Sequence, residues 1–341
     1  MNPHVRANLW LLLLTVLLCN VAYPVGLLVI GQTAFRDQAE GSLIYGADGQ
    51  IVGSKLIAQP FTGAGDFHPR PSAVSYNAAA SGASNWGASN YLLRERVARQ
   101  LGPIVKYSGA RSGEPVGPDI EAWFQQDQYQ GQPGLVAQWA QAHPTLAVAW
   151  VKATPENSAY VTDWMQHHPE ALAAANTQSP AQEKALPEDF AVPFFTSFAA
   201  AHPGKFPSPV ASQAAAGPAV TEIRPVGQGT DIQGMFFDMW RNEHPDAELE
   251  LVPADLVMSS GSGLDPHITL QNAVYQLDRV ATQRAADTGR EVTAVKQEIE
   301  TLLRSRAQAP LGGLAGVPLV NVLEINLALR EKYSTSPTAG H

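Results

Sequence analysis

From Leu9 to Ile30 the chain runs for 22 residues without a charged side chain. As a helix rising 1.5 Å per residue, the run is about 33 Å long, enough for a bilayer hydrocarbon core of about 30 Å. A cleavable signal peptide has an apolar region of only about 7–15 residues, followed by a small-residue cleavage site. This run is longer and no A-x-A pattern follows it, so it is read as an uncleaved transmembrane helix anchored between Leu9 and Ile30, with 1–8 as its leader. Pro24 is a kink candidate. Asn20 is either a hydrogen-bonding group for another helix or a tolerated polar residue. Counting Lys and Arg on the flanks gives a tie, Arg6 against Arg36. A short leader ahead of a long polar domain then places the N-terminus inside and the chain after Gly31 outside. Cys19, the single cysteine, lies within the span as a small packing residue. The exported part therefore has no disulfide framework and no Cys-based zinc site.

Charge divides the exported part. The chain carries 22 Lys+Arg against 31 Asp+Glu, a net charge of −9. That balance argues against nucleic acid as a partner, which would favour a basic face. Residues 1–100 have net charge +2, residues 101–250 have −10 and residues 251–341 have −1. The acidity belongs to the middle third and suggests a separate unit there.

In the first third, Leu43–Tyr45 and Gln50–Val52 flank Gly46, Ala47, Asp48 and Gly49, a hairpin signal. Lys55–Gln59 extends the second strand or starts a third. Phe61–Asn90 reads as an ordered loop anchored by Phe61, Phe67, Tyr76 and Trp86. Tyr91–Leu101 reads as a helix.

The middle third holds a weak repeat, an aromatic residue four before a His-Pro pair. It occurs at Trp139/His143, Trp164/His168 and Trp240/His244, and with Phe at Phe198/His202. Residues four apart share a helix face, and proline disfavours helical backbone in the residue before it. Repeated helix-stop chemistry is the favoured reading, with a metal-binding His cluster as its rival. Gln178–Leu186 and Pro203–Pro218 read as loop or linker.

In the last third, Leu251–Met258 reads as a strand entering a Ser/Gly turn. Leu270, Val274, Leu277 and Ala281 follow helical spacing, with Thr269 an N-cap and Gly289 a stop. Val292, Val295, Ile299, Leu302 and Leu303 mark a second helix. Val320–Leu329 is an apolar element that fits strand or helix. Ser334–His341 reads as a disordered tail.

Three features coincide. The apolar span is followed by Gly41-Ser-Leu-Ile44 and the hairpin. Arg70, Pro71 and Ser72 are followed by Tyr76, Asn77, Ser81, Gly82, Ser84, Asn85 and Asn90. Beyond the middle third come Ser260, Gly261, Ser262, Gly263, Leu264, Asp265, Pro266 and His267, and then Asn321. Together they closely resemble the KdpC family, the C subunit of the Kdp potassium-transporting P-type ATPase. The likeness covers about residues 1–100 and 251–330 in order. Common members join the halves by a much shorter linker, so the middle is identified as an insertion to which family function does not transfer.

The resemblance implies an α+β exported domain on a single N-terminal transmembrane helix, with a mostly helical insertion in the middle. Residues 1–8 form a cytoplasmic N-terminus and 9–30 the span. Residues 31–100 and 251–333 are the two parts of the exported domain, 101–250 the acidic insertion and 334–341 the tail. It implies a non-catalytic accessory subunit, single-pass in the cytoplasmic (inner) membrane, with its main domain on the periplasmic side. Its partners are a channel-like potassium-binding subunit, the P-type ATPase subunit and membrane lipid. Family descriptions also name a catalytic chaperone that raises ATP affinity; ATP is implied by that label alone, although the hydrolytic sites are cytoplasmic.

The residues agree that the chain is not the motor. It has no Asp-Lys-Thr-Gly phosphorylation motif, no G-x-x-x-x-G-K-[ST] loop and no Thr-Val-Gly-Tyr-Gly filter. Gly261–His267 is either a self-bonded turn, which is favoured, or an anion cradle. Asp265 and His267 with Ser81 or Ser84 would mimic a hydrolase triad, but no G-x-S-x-G elbow supports one. The Asn/Ser loop is either self-bonded or a docking surface for the channel-like subunit. Arg70, held extended between prolines, is available to an acid on a partner. The acidic middle either concentrates cations near a pore mouth or is a solvated surface. The rival to the whole reading is a membrane-anchored exported ligand-binding or sensory module.

Overall fold

The computed structural model describes residues 2–46, 49–171, 186–212, 220–314 and 316–333. The chain divides into two compact units, Met1–Asn85 with Val252–His341, and Trp86–Leu251. The proposed hairpin residues Ala47 and Asp48, most of the Gln178–Leu186 linker, the end of the Pro203–Pro218 loop and the 334–341 tail lie outside the described residues.

The first unit opens with one helix, Pro3–Ala34, long and apolar enough by length and composition to cross a membrane. It includes the 9–30 run and extends beyond it at both ends. At Leu17–Ala22 the helix widens to a π-turn just before Pro24. Proline has no N–H to give the carbonyl four residues back, and a local π-turn is one way a helix accommodates that loss.

Leu43–Tyr45 and Ile51–Ser54 form the expected antiparallel hairpin, with Leu43 opposite Ser54 and an irregularity after Ile44. Lys55–Gln59 adds no strand. The chain from Phe61 to Asn85 has neither helix nor strand.

The expected strand at Leu251–Met258 is instead a single helical turn, Ala254–Val257. Pro253 occupies its N-cap position, where a missing N–H costs nothing. His267–Thr269 pairs antiparallel with Leu319–Asn321, His267 opposite Asn321. Thr269 caps the helix Leu270–Thr288 by accepting the N–H of Asn272, and Gly289 ends it in left-handed backbone at φ 66°. Val292–Arg306 is the second helix. The ambiguous Val320–Leu329 is both structures in succession: the strand ends at Asn321 and the helix Val322–Tyr333 begins at once. Phe67, Ile268, Leu277, Val280, Ile299, Leu303, Ile325 and Leu329 form the core of this unit.

The second unit is mostly helical, around an aromatic core. Trp139 packs edge-on against Phe195 (5.2 Å) and Phe206 (5.5 Å), and Phe124 lies 4.6 Å from Phe236. Phe206–Ser212, expected as loop, is a strand paired with Val220–Val226. Its prolines, Pro207 and Pro209, sit in a two-stranded ribbon, where edge positions tolerate them. The four His-Pro sites all end helices: His143, His168, His202 and His244 are C-caps. Trp164 stacks on His168 at 4.4 Å and Trp240 on His244 at 4.7 Å. Each of these two imidazoles also bonds through Nδ1 to its tryptophan's carbonyl at 2.8 Å. Helix termination accounts for the repeat.

Candidate functional site

Ser72 joins the two motif runs across 191 residues. Its Oγ donates to the Gly263 carbonyl at 2.7 Å and accepts the N–H groups of Val74 at 3.2 Å and Tyr76 at 3.0 Å. A hydroxyl has one proton and two lone pairs, so all three valences are used. Main-chain bonds continue the seam: Gly82 N–H to the Ser262 carbonyl and Ser260 N–H to the Pro71 carbonyl, both 2.9 Å. Ser81 Oγ donates to the Ser262 carbonyl at 3.2 Å, and Ser84 Oγ pairs with Ser259 Oγ at 3.3 Å. Tyr76 closes the loop on itself, its hydroxyl donating to the Arg70 carbonyl at 2.9 Å, and burial raises the phenol's pKa.

Gly263 lies at φ 69°, and a Cβ there would sit 2.6 Å from Val74 Cγ2 and 2.8 Å from the Gly82 carbonyl oxygen. Only glycine combines that backbone with that approach. The turn around it uses its own donors. Gly263 N–H goes to the Ser260 carbonyl, Leu264 N–H to Ser262 Oγ, Asp265 N–H to Ser260 Oγ and His267 N–H to Asp265 Oδ1. These four N–H groups are spent within the turn, which favours the self-bonded reading over an anion cradle.

Arg70 pairs with Asp265 at 3.5 Å and donates to the Ser259 carbonyl at 3.3 Å. The side chain read as available to a partner's acid is thus turned inward. Asp265 also receives His267 Nδ1 at 3.3 Å, and this hydrogen bond holds the Asp265 carboxyl below its ordinary range. Neither Ser81 nor Ser84, bonded as described, is paired with His267, so the triad is not assembled. Leu264 and Pro266 offer their carbonyls to the N–H groups of Ala58 and Val322, both at 2.9 Å. Asn321 donates to the Lys55 carbonyl at 2.8 Å and accepts the N–H of Glu324 at 3.2 Å.

The seam gathers Arg70, Pro71, Ser72, Tyr76, Ser81, Gly82 and Ser84 with Ser260–His267. Asn77 bonds only locally, accepting the N–H of Ala79 at 3.0 Å, and Asn85 is exposed with φ 52°. Asn90 belongs to the second unit, where it caps the helix Tyr91–Leu101 by accepting the N–H of Leu92 at 2.9 Å. Gly261 is exposed, with open space around its α-carbon. The seam leaves residues 77–81 as a solvent-facing loop on a hydrogen-bonded base. That arrangement presents a surface rather than activating a nucleophile. Among the described residues no group of three or more His, Cys, Asp or Glu is placed to hold a metal ion.

Sequence reasoning missed a second set of clamps. Asn326 is fully buried and bonds both the N–H (2.8 Å) and the carbonyl (2.9 Å) of Phe67. Gln276 does the same for His68, at 2.8 and 3.1 Å. Asp66 joins Arg284 at 2.9 Å and Arg330 at 2.8 Å. The available signal was an Asn inside the apolar run Val320–Leu329 and a Gln one residue before core Leu277. A polar residue at a core position is informative where an exposed apolar one is not.

Comparison with known proteins then bears on the seam. A family model described as K+-transporting ATPase, c chain, matches residues 5–122 and 233–331. The chain is similar to the potassium-transporting ATPase KdpC subunit of Pseudomonas putida, 44% identical over 128 residues, which is 35% of this chain and 70% of that one. The subunit of the same name from Pseudomonas aeruginosa is 41% identical over 128 residues, with the same shares. That of Gloeobacter violaceus is 43% identical over 93 residues, 27% of this chain and 50% of that one. The family model leaves residues 123–232 unmatched, a narrower stretch than 101–250, and both sides of the Ser72–Gly263 seam fall within the match.

Proposed function

Since the chain belongs to the KdpC family, the c chain of a K+-transporting ATPase, we propose that it is a non-catalytic, membrane-anchored accessory subunit of an ATP-driven potassium uptake complex. The helix Pro3–Ala34 anchors it in the cytoplasmic (inner) membrane as a single pass with the N-terminus inside. The rest lies on the periplasmic side, against a channel-like potassium-binding subunit and the P-type ATPase subunit. The observation that carries this reading is the closed seam. Family-matched segments far apart in the chain meet through Ser72, Gly82, Ser260 and Gly263, and together they hold residues 77–81 outward. A stiff, exposed loop loses little conformational freedom on docking, which favours it as a contact surface. We assign the contact to that loop, with the seam residues Arg70, Ser72, Asp265 and His267 positioning it rather than touching the partner.

The finer family role, raising the ATP affinity of the ATPase subunit, is carried as part of this proposal. It requires transmission across the membrane, because the exported domain cannot reach nucleotide.

The test is co-purification. Affinity-tagged chain solubilised in mild detergent is expected to bring down a subunit with the Asp-Lys-Thr-Gly motif. Replacing Ala79 and Ala80 by bulky charged residues is expected to weaken that recovery without unfolding the chain. Recovery of the wild-type chain alone, from cells expressing the whole complex, would overturn the proposal. The KM for ATP of the complex with and without the chain tests the finer role separately.

A further inference from the structure

Within the second unit, five segments enclose a cavity of about 220 Å³. Sites that take drug- or cofactor-sized ligands run from about 300 to 1,000 Å³, so this space suits a smaller solute and excludes a nucleotide. Trp150 and Phe206 form its apolar wall, 9% and 1% exposed. Its polar lining is unusual for a packing defect. Ser208 is 6% exposed and Asn157 only 3%. Asn157 spends its amide N–H on the Trp150 carbonyl at 2.7 Å, and its Oδ1 has no hydrogen-bond partner. An orphaned buried acceptor of this kind costs about 1–3 kcal/mol.

Two opposite charges complete the lining, Arg99 and Asp231, both exposed. The helices that carry them are locked at close range: a Cβ at Gly234 would lie 2.5 Å from the Arg99 carbonyl oxygen. Asp231 precedes Gly234 by three residues and shares its helix face. The crossing thus brings Arg99 and Asp231 to the lining of one cavity. Neither is in an ion pair among the described residues. Most of the lining falls in residues 123–232, outside the family match.

We propose that this cavity binds a small zwitterion of amino-acid size. The ligand's ammonium meets Asp231 against the aromatic wall, where a cation gains from the Trp150 ring face. Its carboxylate meets Arg99, whose planar fork suits a carboxylate. The inference stands apart from the accessory-subunit reading, since the seam and the docking loop take no part in it.

Calorimetric titration of the detergent-solubilised full chain tests it, with L-alanine and L-valine as probes. Two truncated relatives of valine accompany them, isobutylamine without the carboxylate and isovalerate without the ammonium. L-Valine is expected to bind at least about tenfold tighter than either. Arg99→Gln should erase its advantage over isobutylamine, and Asp231→Asn its advantage over isovalerate. Arg99→Lys and Asp231→Glu, which keep charge but move it, should each weaken L-valine and leave the melting temperature unchanged. Absence of binding by both amino acids at millimolar concentration would overturn the proposal. So would amino-acid binding that none of the four variants alters.

Discussion

Asn326 and Phe67, 259 residues apart, are joined by two hydrogen bonds in a fully buried site, one in each direction between the Asn amide and the Phe main chain. The side chain completes a piece of secondary structure for a loop that has none. Replacing Asn326 by Leu keeps the volume but strands an N–H and a carbonyl in the core. The expected loss is about 2–6 kcal/mol, from about 1–3 kcal/mol for each orphaned group. Denaturant unfolding of the solubilised chain reads it, and a loss below about 1 kcal/mol would show that water reaches these groups.

Gly263 makes a sharper demand on backbone shape. Gly263→Ala puts a methyl group into Val74 and the Gly82 carbonyl at an already left-handed φ. Both terms destabilise, and about 2–4 kcal/mol is expected. The seam should part first, so proteolytic cleavage between Ser72 and Asn85 is expected to rise before global unfolding. Gly261→Ala is the matched control. Gly261 has no positive φ and nothing within 4 Å of an added Cβ, so it should behave as wild type.

Local chemistry was legible and long-range pairing was not. Thr269 and Gly289 bracket a helix because capping depends on neighbours within four residues. The His-Pro sites read correctly for the same reason. Phe206–Ser212 looked like linker because Pro207 and Pro209 are strand-hostile on average. They fit only because the partner strand, Val220–Val226, leaves the ribbon otherwise unpaired. Leu251–Met258 looked like a strand because a four-residue helical turn is too short for a period to register. Arg70 was read as free for a partner because its acid, Asp265, lies 195 residues away. Asn326 and Gln276 escaped notice since only the folded chain shows which main-chain groups lack partners.

Two groups give the first unit an acid dependence of defined sign. Burial, with the nearby Arg279 charge, lowers the His68 pKa below 6.5. The native state therefore disfavours the imidazolium, and stability falls as pH drops below about 6.5 until the folded pKa is passed. Asp265 is depressed below 3.8 by its His267 hydrogen bond. Its contribution is complete above the unfolded pKa and disappears as pH falls through the lower folded value. Unfolding midpoints between about pH 7 and 5 should slope for wild type and flatten for His68→Gln, while Asp265→Asn should alter only the slope below about pH 4. Identical profiles for wild type and His68→Gln would contradict the first assignment.

The stop at His244 can be separated from ordinary surface histidines. Its ring lies 4.7 Å from Trp240 at an interplanar angle of 15°, and its Nδ1 bonds the Trp240 carbonyl, which also accepts the His244 N–H at 3.0 Å. Losing a ring contact and a side-chain hydrogen bond, each worth about 0.5–1.5 kcal/mol, His244→Ala is expected to cost about 1–3 kcal/mol. His167 bonds the Asp163 carbonyl through Nδ1 in the same way but lies on an exposed face, with 68% of its side chain in solvent. His167→Ala should therefore stay within about 0.5 kcal/mol of wild type. The same ordering should hold for the unfolding midpoint followed by tryptophan fluorescence, because Trp240 is 2% exposed and reports on the helix that His244 ends. Equal losses for the two variants would mean that the hydrogen bond alone, without the stacked ring, ends these helices.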